Sequence, residues 1–143
     1  MLNWYAHKNC KDTTAKMLTF QPRPNTIVMC DFSGFISPEM VKKRPVIVIK
    51  KNKDNPKLVT IVPFSTTAPH EISELHIEVE GPLDGKQAWV KCDMITTVCL
   101  ERLDRIKIIE GDTRKWGTKS LDAQTFDLIC TGVAKYLGLA HNS

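Results

Sequence analysis

The fold of this chain is decided by the stretch RPVIVIKKNKDNPKLVTIVP, residues 44–63. Two apolar runs rich in β-branched residues, 46–49 and 58–62, flank a polar segment that contains Asn, Asp and Pro. β-Branched residues favour strands, whereas Asn, Asp and Pro favour turns. The stretch therefore predicts an antiparallel hairpin whose second strand ends at Pro63.

Further strands are predicted on both sides of this hairpin. Residues 26–32 are apolar and β-prone, which indicates a core strand, and residues 75–80 alternate apolar and polar side chains, which is typical of a half-exposed strand. Residues 88–95 form a further strand, and residues 103–109 form a short edge strand.

One helix is predicted at the C-terminus. It starts near Ser120 as a plausible N-cap and stops at Gly138. Its apolar positions recur at helical spacing: Phe126, Ile129, Cys130, Val133 and Leu137. The expected fold class is mainly β with a C-terminal α-helix (α+β), arranged as a small antiparallel barrel or a strongly curved sheet.

Length and composition indicate one compact domain. The chain has 143 residues, of which 42% are hydrophobic and 25% charged. Residues 1–21 are aperiodic and are closed by two prolines, so they are interpreted as an N-terminal arm with one short helix. Residues 22–143 are the predicted domain.

Charge, hydropathy and cysteine usage narrow the class of protein. Residues 1–71 hold 11 Lys/Arg and 5 Asp/Glu (+6), whereas residues 72–143 hold 9 and 11 (−2), which together give the net +4. An anionic partner is therefore expected on the basic half. No stretch approaches the ~18 apolar residues that span a bilayer, and the start lacks a signal-peptide core, so we expect a cytoplasmic protein without membrane contact. Neither the five cysteines nor the four histidines show metal-ligand spacing, so no metal or cofactor is expected.

A basic segment precedes and follows the first strand of the hairpin. Lys42, Lys43 and Arg44 come directly before it, and four lysines lie in or beside the turn. Such a cluster suits a phosphate-rich ligand, although lysines also keep strand edges soluble. Arg44 differs from the lysines because its guanidinium, held at the rim of the sheet, can grip a phosphate through two oxygens.

Three other sets of polar residues are candidates for chemistry. Ser65 and Thr66 follow a strand end, where hydroxyls and N–H groups can converge, although such turns are commonly only turns. Lys91 and Asp93, placed on one strand, would share a face within reach of each other, as a site for proton transfer and charge stabilisation or as a surface ion pair. Glu39 lies in the loop before Arg44, where it would orient the arginine, act on a substrate or be solvated.

The order of these segments resembles the PemK/MazF toxins of bacterial type II toxin–antitoxin systems, including Kid. The resemblance rests on residues 22–32, Glu39, residues 44–49, residues 62–66 and residues 90–93. It implies a small antiparallel, SH3-like barrel related to the gyrase poison CcdB. It also implies a homodimer that cuts single-stranded RNA without metal and is blocked by a cognate antitoxin protein.

The resemblance also implies roles for individual residues. Arg44 matches the catalytic arginine, Ser65 stands at the place of the catalytic threonine, and Asp93 matches the carboxylate assigned as base in the Kid branch. Thr66, Lys91 and Glu39 match neighbouring substrate-contacting positions, and Lys42 and Lys43 would add phosphate contacts. Two departures are Ser in place of Thr at 65 and Lys in place of Arg at 91, which loses the planar fork. The arm of residues 1–21 is also longer than the usual start of the family.

The hypothesis is therefore a toxin that cleaves mRNA and inhibits translation and growth. Asp93 would take the 2′-OH proton and Arg44 would stabilise the charged phosphorus centre, leaving 2′,3′-cyclic phosphate and 5′-OH ends. Arg44 is also considered as donor to the leaving oxygen, although arginine is a poor acid. Two alternatives are a toxin that binds a protein such as gyrase, as CcdB does, and an inactive relative that binds RNA or antitoxin.

Overall fold

A computed structural model describes residues 18–139, which form nine strands and one α-helix. Seven strands make one antiparallel sheet and the last two make a separate hairpin. The bounds are β1 Ile27–Cys30, β2 Arg44–Lys51, β3 Leu58–Ser65, β4 His76–Glu80, β5 Gln87–Lys91, β6 Thr96–Cys99, β7 Leu103–Asp104, β8 Ile106–Glu110, β9 Thr113–Gly117 and α1 Ala123–Tyr136. The α+β class predicted from the sequence is confirmed.

The sheet is built around the predicted hairpin of β2 and β3. Its order is β4-β5-β3-β2-β1-β7, and β6 pairs with β3 beside β5. In the described part of the chain, β4 and β7 lie at opposite edges and do not pair with each other. The sheet therefore does not close, and the expectation of a barrel is corrected to an open sheet.

Alternation along the central strands separates two apolar cores. Val46 and Val48 point to one face together with the other members of the first core, whereas Ile47 and Val62 point to the opposite face. The helix covers this second face through Ile129 and Val133. Successive side chains along a strand point to opposite faces of the sheet. Because β2 and β3 are apolar on both faces, they contribute to one core on each side.

Pro63 does not end the hairpin's second strand, which continues to Ser65. Residues 58–61 of β3 pair with β6, and residues 64 and 65 pair with β5. Pro63 lies in the gap between these two partners, an irregular position at which a sheet tolerates a missing N–H. The strand thereby changes neighbours and places Ser65 opposite Trp89 of β5.

Two predicted strands were wrong in extent. The strand expected over residues 88–95 ends at Lys91, and residues Cys92–Met94 form a 3-10 helix. The edge strand expected over 103–109 divides into β7 and β8, and β8 pairs with β9, which the sequence analysis missed.

Helix α1 begins later than predicted. Its N-cap is Asp122, whose carboxylate accepts a hydrogen bond from Thr125 N at 3.0 Å, and not Ser120. This bond lowers the pKa of Asp122, as does the hydroxyl of Thr125. The predicted stop is confirmed, because Gly138 has φ of +73°, which suits a glycine after the last turn.

The end of the predicted N-terminal arm packs against the sheet. Leu18 is buried in the first core, and the amide of Gln21 donates to the carbonyl oxygens of Leu58 at 2.9 Å and Asn52 at 3.2 Å. The short helix expected near the start lies outside the described residues. Within residues 18–139, no helix is both long and apolar enough to span a membrane.

Candidate functional site

Four polar side chains predicted or found at the site share one face of the sheet: Arg44, Ser65, Lys91 and His76. The shared face follows from the register, because cross-strand partners and residues two apart on one strand point to the same side. The connecting pairs are Val46 with Pro63, Ser65 with Trp89, and Lys91 with His76. This face is opposite to the one that α1 covers.

The first cleft on the molecule's surface joins Arg44, Ser65 and Thr66. Its volume is about 150 Å³, and Lys43 and Lys86 also line it. The Nε of Arg44 is buried and has no hydrogen-bond partner among the described residues. The structure therefore brings the predicted arginine and both predicted hydroxyls together at one cleft.

Ser65 has a structural contact of its own in this cleft. The residue is only 6% exposed, and its Oγ accepts a hydrogen bond from Thr67 N at 3.1 Å. Its hydroxyl hydrogen remains able to donate, because a hydroxyl that accepts one bond keeps its O–H. Thr66, in contrast, is exposed.

Asp93 and Glu39 line a second cleft, of about 240 Å³. Asp93 lies on the 3-10 helix after β5 and not on the strand, which corrects the geometry expected for Lys91 and Asp93. Glu39 does not pair with Arg44 in the described part of the chain. Its carboxylate instead accepts a hydrogen bond from Ile36 N at 2.6 Å and so closes its own loop.

Lys91 lines a third cleft, of about 480 Å³, together with His76 and the loop 67–73. The side chain that faces Asp93 in the described chain is His76, whose Nε2 lies 3.5 Å from Oδ1, and Lys91 makes no ion pair with Asp93. Sequence analysis missed His76. The alternation of residues 75–80 marked it only as a polar position on a half-exposed strand.

The two lysines before Arg44 differ in their surroundings. Lys43 is 48% exposed and forms an ion pair with Asp104 at 3.2 Å, which ties the loop to β7. Lys42 is exposed. An exposed ion pair contributes little to stability, so Lys43 can exchange Asp104 for an anionic ligand at small cost.

The described residues 18–139 contain no group of three or more His, Cys, Asp or Glu side chains arranged to hold a metal ion. The cysteines among them are free, and burial raises the pKa of the Cys30 and Cys92 thiols to about 12. These two thiols are therefore neutral core side chains.

Comparisons with known proteins agree with this architecture. The sequence profile of the family described as "PemK-like, MazF-like toxin of type II toxin-antitoxin system" matches residues 23–137. The Escherichia coli (strain K12) protein YifN is 26% identical, in an alignment that covers 66% of this chain and 79% of YifN.

Two solved structures illustrate the likeness of fold. MazF from Deinococcus radiodurans is 16% identical, with a TM-score of 0.60 over 83% of this chain and 98% of that one. An endoribonuclease from a mycobacterial species, solved in complex with its cognate antitoxin, is 20% identical, with a TM-score of 0.58 over 85% of this chain and 99% of that one.

The open antiparallel sheet with a C-terminal helix, and the arginine and hydroxyls at its strand ends, define an α+β protein of the MazF-like class. Within this class the chain belongs to the PemK-like, MazF-like toxin family of type II toxin–antitoxin systems. The resemblance seen in the sequence is thereby confirmed.

Proposed function

We propose that this toxin is a sequence-specific endoribonuclease that cleaves single-stranded mRNA without a metal ion. The observation that supports this most directly is the first cleft, which Arg44 lines together with Ser65 and Thr66. Guanidinium and hydroxyl donors at one site suit the oxygens of a phosphodiester. Cleavage of mRNA would inhibit translation and growth.

RNA supplies its own nucleophile, so the protein needs few groups. In the proposed reaction Asp93 removes the proton from a 2′-OH, and the 2′ oxygen attacks the adjacent phosphorus. The bond to the 5′ oxygen breaks, which leaves a 2′,3′-cyclic phosphate and a 5′-OH end. Arg44, Ser65 and Thr66 stabilise the charge on the phosphoryl oxygens. The leaving oxygen takes its proton from a donor in the open cleft, either water or Arg44.

Lys91 and Lys43 are proposed to bind flanking phosphates. Lys91 lies at the end of β5 in the third cleft, and Lys43 lines the first. Lys42 and Glu39 are proposed to contact RNA from the loop that precedes Arg44. A lysine contacts phosphate as a point charge, so these contacts contribute affinity more than geometry.

The proposed partners follow from family membership. A cognate antitoxin protein would cover the RNA-binding face, as expected for a type II system, and the toxin would act as a homodimer in the cytoplasm, where mRNA is found. The mycobacterial endoribonuclease of similar fold was solved with its antitoxin.

The test is cleavage of a long single-stranded RNA by the purified protein in EDTA, with fragment ends mapped. Wild type should give discrete cuts with 5′-OH ends, and Arg44→Ala and Asp93→Ala should each lower the rate by about 100-fold or more. Lys50→Ala, at the exposed far end of β2, is the matched control and should cut like wild type.

Intact RNA with wild type would contradict the proposal. Inhibition of gyrase supercoiling by the same preparation would then identify a protein-binding toxin, and RNA binding without cleavage would identify an inactive relative. Wild-type rates in both Arg44→Ala and Asp93→Ala would refute the residue assignment while leaving the activity intact.

A further inference from the structure

His76 is enclosed by protein groups at both ring nitrogens. Its Nε2 lies 3.5 Å from Oδ1 of Asp93, and its Nδ1 lies 3.4 Å from Oγ of Ser73. The side chain is only 16% exposed. Both ring nitrogens therefore face protein atoms, and one of these atoms belongs to the carboxylate of Asp93.

The elements that hold this pair are tied to each other. Oγ of Ser73 accepts a hydrogen bond from Leu75 N at 3.2 Å, and the carbonyl oxygen of Leu75 accepts one from Cys92 N at 2.9 Å. Cys92 directly precedes Asp93. These hydrogen bonds link the start of β4 to the 3-10 helix, with the imidazole opposite the carboxylate.

The two oxygens of Asp93 differ in their surroundings. Oδ1, which faces His76, is buried and makes no hydrogen bond of good geometry with the described residues. The side chain as a whole is nevertheless 34% exposed. The accessible oxygen is therefore Oδ2, which is left free for a group that enters the cleft.

We propose that His76 is a positioning residue that holds the carboxylate of Asp93 for proton transfer, an inference that rests on the proposed ribonuclease function. In this arrangement the Ser73 hydroxyl is assigned as the donor to Nδ1, which places the ring proton on Nε2, facing Oδ1. When RNA is bound, the 3.5 Å contact shortens to a hydrogen bond, as catalytic contacts do on substrate binding. The fixed Oδ2 then takes the 2′-OH proton while the 2′ oxygen bonds to phosphorus and the 5′ oxygen leaves.

The test compares His76→Phe with His76→Gln, with kcat and KM measured on an RNA that contains one mapped cleavage site. Phe removes the donor, so kcat should fall by about 10- to 100-fold while KM stays within about twofold. The Gln amide restores an N–H toward Oδ1. The logarithm of kcat for His76→Gln should therefore recover at least a third of the difference between His76→Phe and wild type. Thermal unfolding of each variant reports whether it is folded.

The matched control is Ile109→Phe, which introduces the same side chain on the separate β8–β9 hairpin, where Ile109 is 59% exposed. It should cleave like wild type. If His76→Phe does not fold, His76→Gln and His76→Glu decide the question. Gln should stay active, whereas Glu, which repels Asp93, should lose at least as much kcat as the value expected for Phe.

Each contrary result has a definite meaning. A His76→Phe variant that cleaves like the Ile109→Phe control would overturn the positioning role alone, because the ribonuclease activity would remain. A loss confined to KM, or a Gln variant as slow as Phe, would also overturn it. A wild-type protein that does not cut RNA would overturn the proposed function and this inference together.

Discussion

Two polar atoms stand out at the scale of single residues, because both are buried without a hydrogen-bond partner in the described chain. They are Nε of Arg44 and Oδ1 of Asp93. An unsatisfied buried group costs about 1–3 kcal/mol of folding stability. Arg44 lines the first cleft and Asp93 the second, so both costs fall at residues to which the proposed function assigns chemistry.

Arg44→Lys separates the charge of Arg44 from its planar fork. Lysine keeps the positive charge but has no Nε and no bidentate geometry, so it cannot stabilise two phosphoryl oxygens at once. We expect Arg44→Lys to lower kcat by about 100-fold or more, within about tenfold of Arg44→Ala. Binding can be measured with an RNA that has a 2′-deoxy sugar at the cut site. Arg44→Lys should bind this RNA with an affinity closer to that of wild type than Arg44→Ala does.

Single-turnover cleavage and equilibrium binding measure these two effects. Equal kcat in Arg44→Lys and wild type would mean that a point charge is sufficient and that the unpartnered Nε has no role in the reaction.

Cys30 gives a prediction for the pH dependence of stability. Burial raises the pKa of its thiol from 9.0 to about 12, so the folded state keeps the proton after the unfolded chain has lost it. The thiol's contribution to the free energy of unfolding is therefore complete below pH 9 and is lost as the pH rises toward 12.

The slope approaches about 1.4 kcal/mol per pH unit for one such group. Urea unfolding at pH 8, 9 and 10 should show wild type losing stability faster than Cys30→Ala, which lacks this one thiol and keeps the others. Parallel pH profiles for the two proteins would show that Cys30 ionises in the folded state at its ordinary pKa.

At the scale of elements, Gly132 connects the helix to the candidate site. A Cβ at this position would lie 2.8 Å from the carbonyl oxygen of Glu74 and 2.9 Å from Sγ of Cys92. Glu74 precedes β4, which carries His76, and Cys92 precedes Asp93. Because Gly132 has no side chain, α1 can pack closely against both the 3-10 helix and the start of β4.

Gly132→Ala should therefore affect the site from the opposite face of the sheet. The new methyl group must displace backbone at Glu74 or the thiol of Cys92, at a cost of about 1–3 kcal/mol despite the better helix propensity of alanine. RNA cleavage should fall along with the midpoint of thermal unfolding. Thr131→Ala, at the adjacent exposed position of α1, should leave both unchanged. A Gly132→Ala protein more stable than wild type would contradict the close approach.

The elements that sequence analysis predicted correctly are those whose signal is local. The β2–β3 hairpin and the stop at Gly138 depend on β-branched runs and on a left-handed glycine, both visible in a short window. Pro63 misled the prediction because its tolerance depends on where β3 changes from β6 to β5, which is set by pairing across the sheet. The strand β9 is polar and lies in a two-stranded hairpin, so it lacks the apolar pattern of a core strand.

The site residues also divide into those that the sequence could indicate and those that depend on contacts across the fold. Arg44, Ser65 and Thr66 share a cleft, and it was the resemblance to the PemK/MazF toxins, not a local pattern, that assigned them to one site. The partner of Asp93 was not predictable, because the chain turns into a 3-10 helix after Lys91 and directs the carboxylate toward β4. A contact between residues 17 positions apart, made by two polar side chains, leaves no periodic signal.

At the scale of the whole molecule, the charge distribution supports an anionic ligand on the sheet face opposite α1. The first cleft has Arg44, Lys43 and Lys86 on its walls, and the third has Lys91. Each phosphate neutralised on a single strand releases counterions and contributes about −0.7 to the slope of log K against log salt concentration. A strand that crosses both clefts and contacts about three phosphates should give a slope of about −2.

This slope is measured with Asp93→Asn, which keeps the RNA intact during binding. Adding Lys91→Ala should make the slope shallower by about 0.7, because one phosphate contact is lost. Adding Lys57→Ala instead, an exposed lysine in the β2–β3 turn, should leave it unchanged, since that turn is at the other end of the hairpin from Arg44 and Ser65. If both lysines change the slope equally, RNA is held by general surface charge. If neither does and binding is insensitive to salt, the sheet face is not the RNA site, and the basic half of the chain requires another anionic partner.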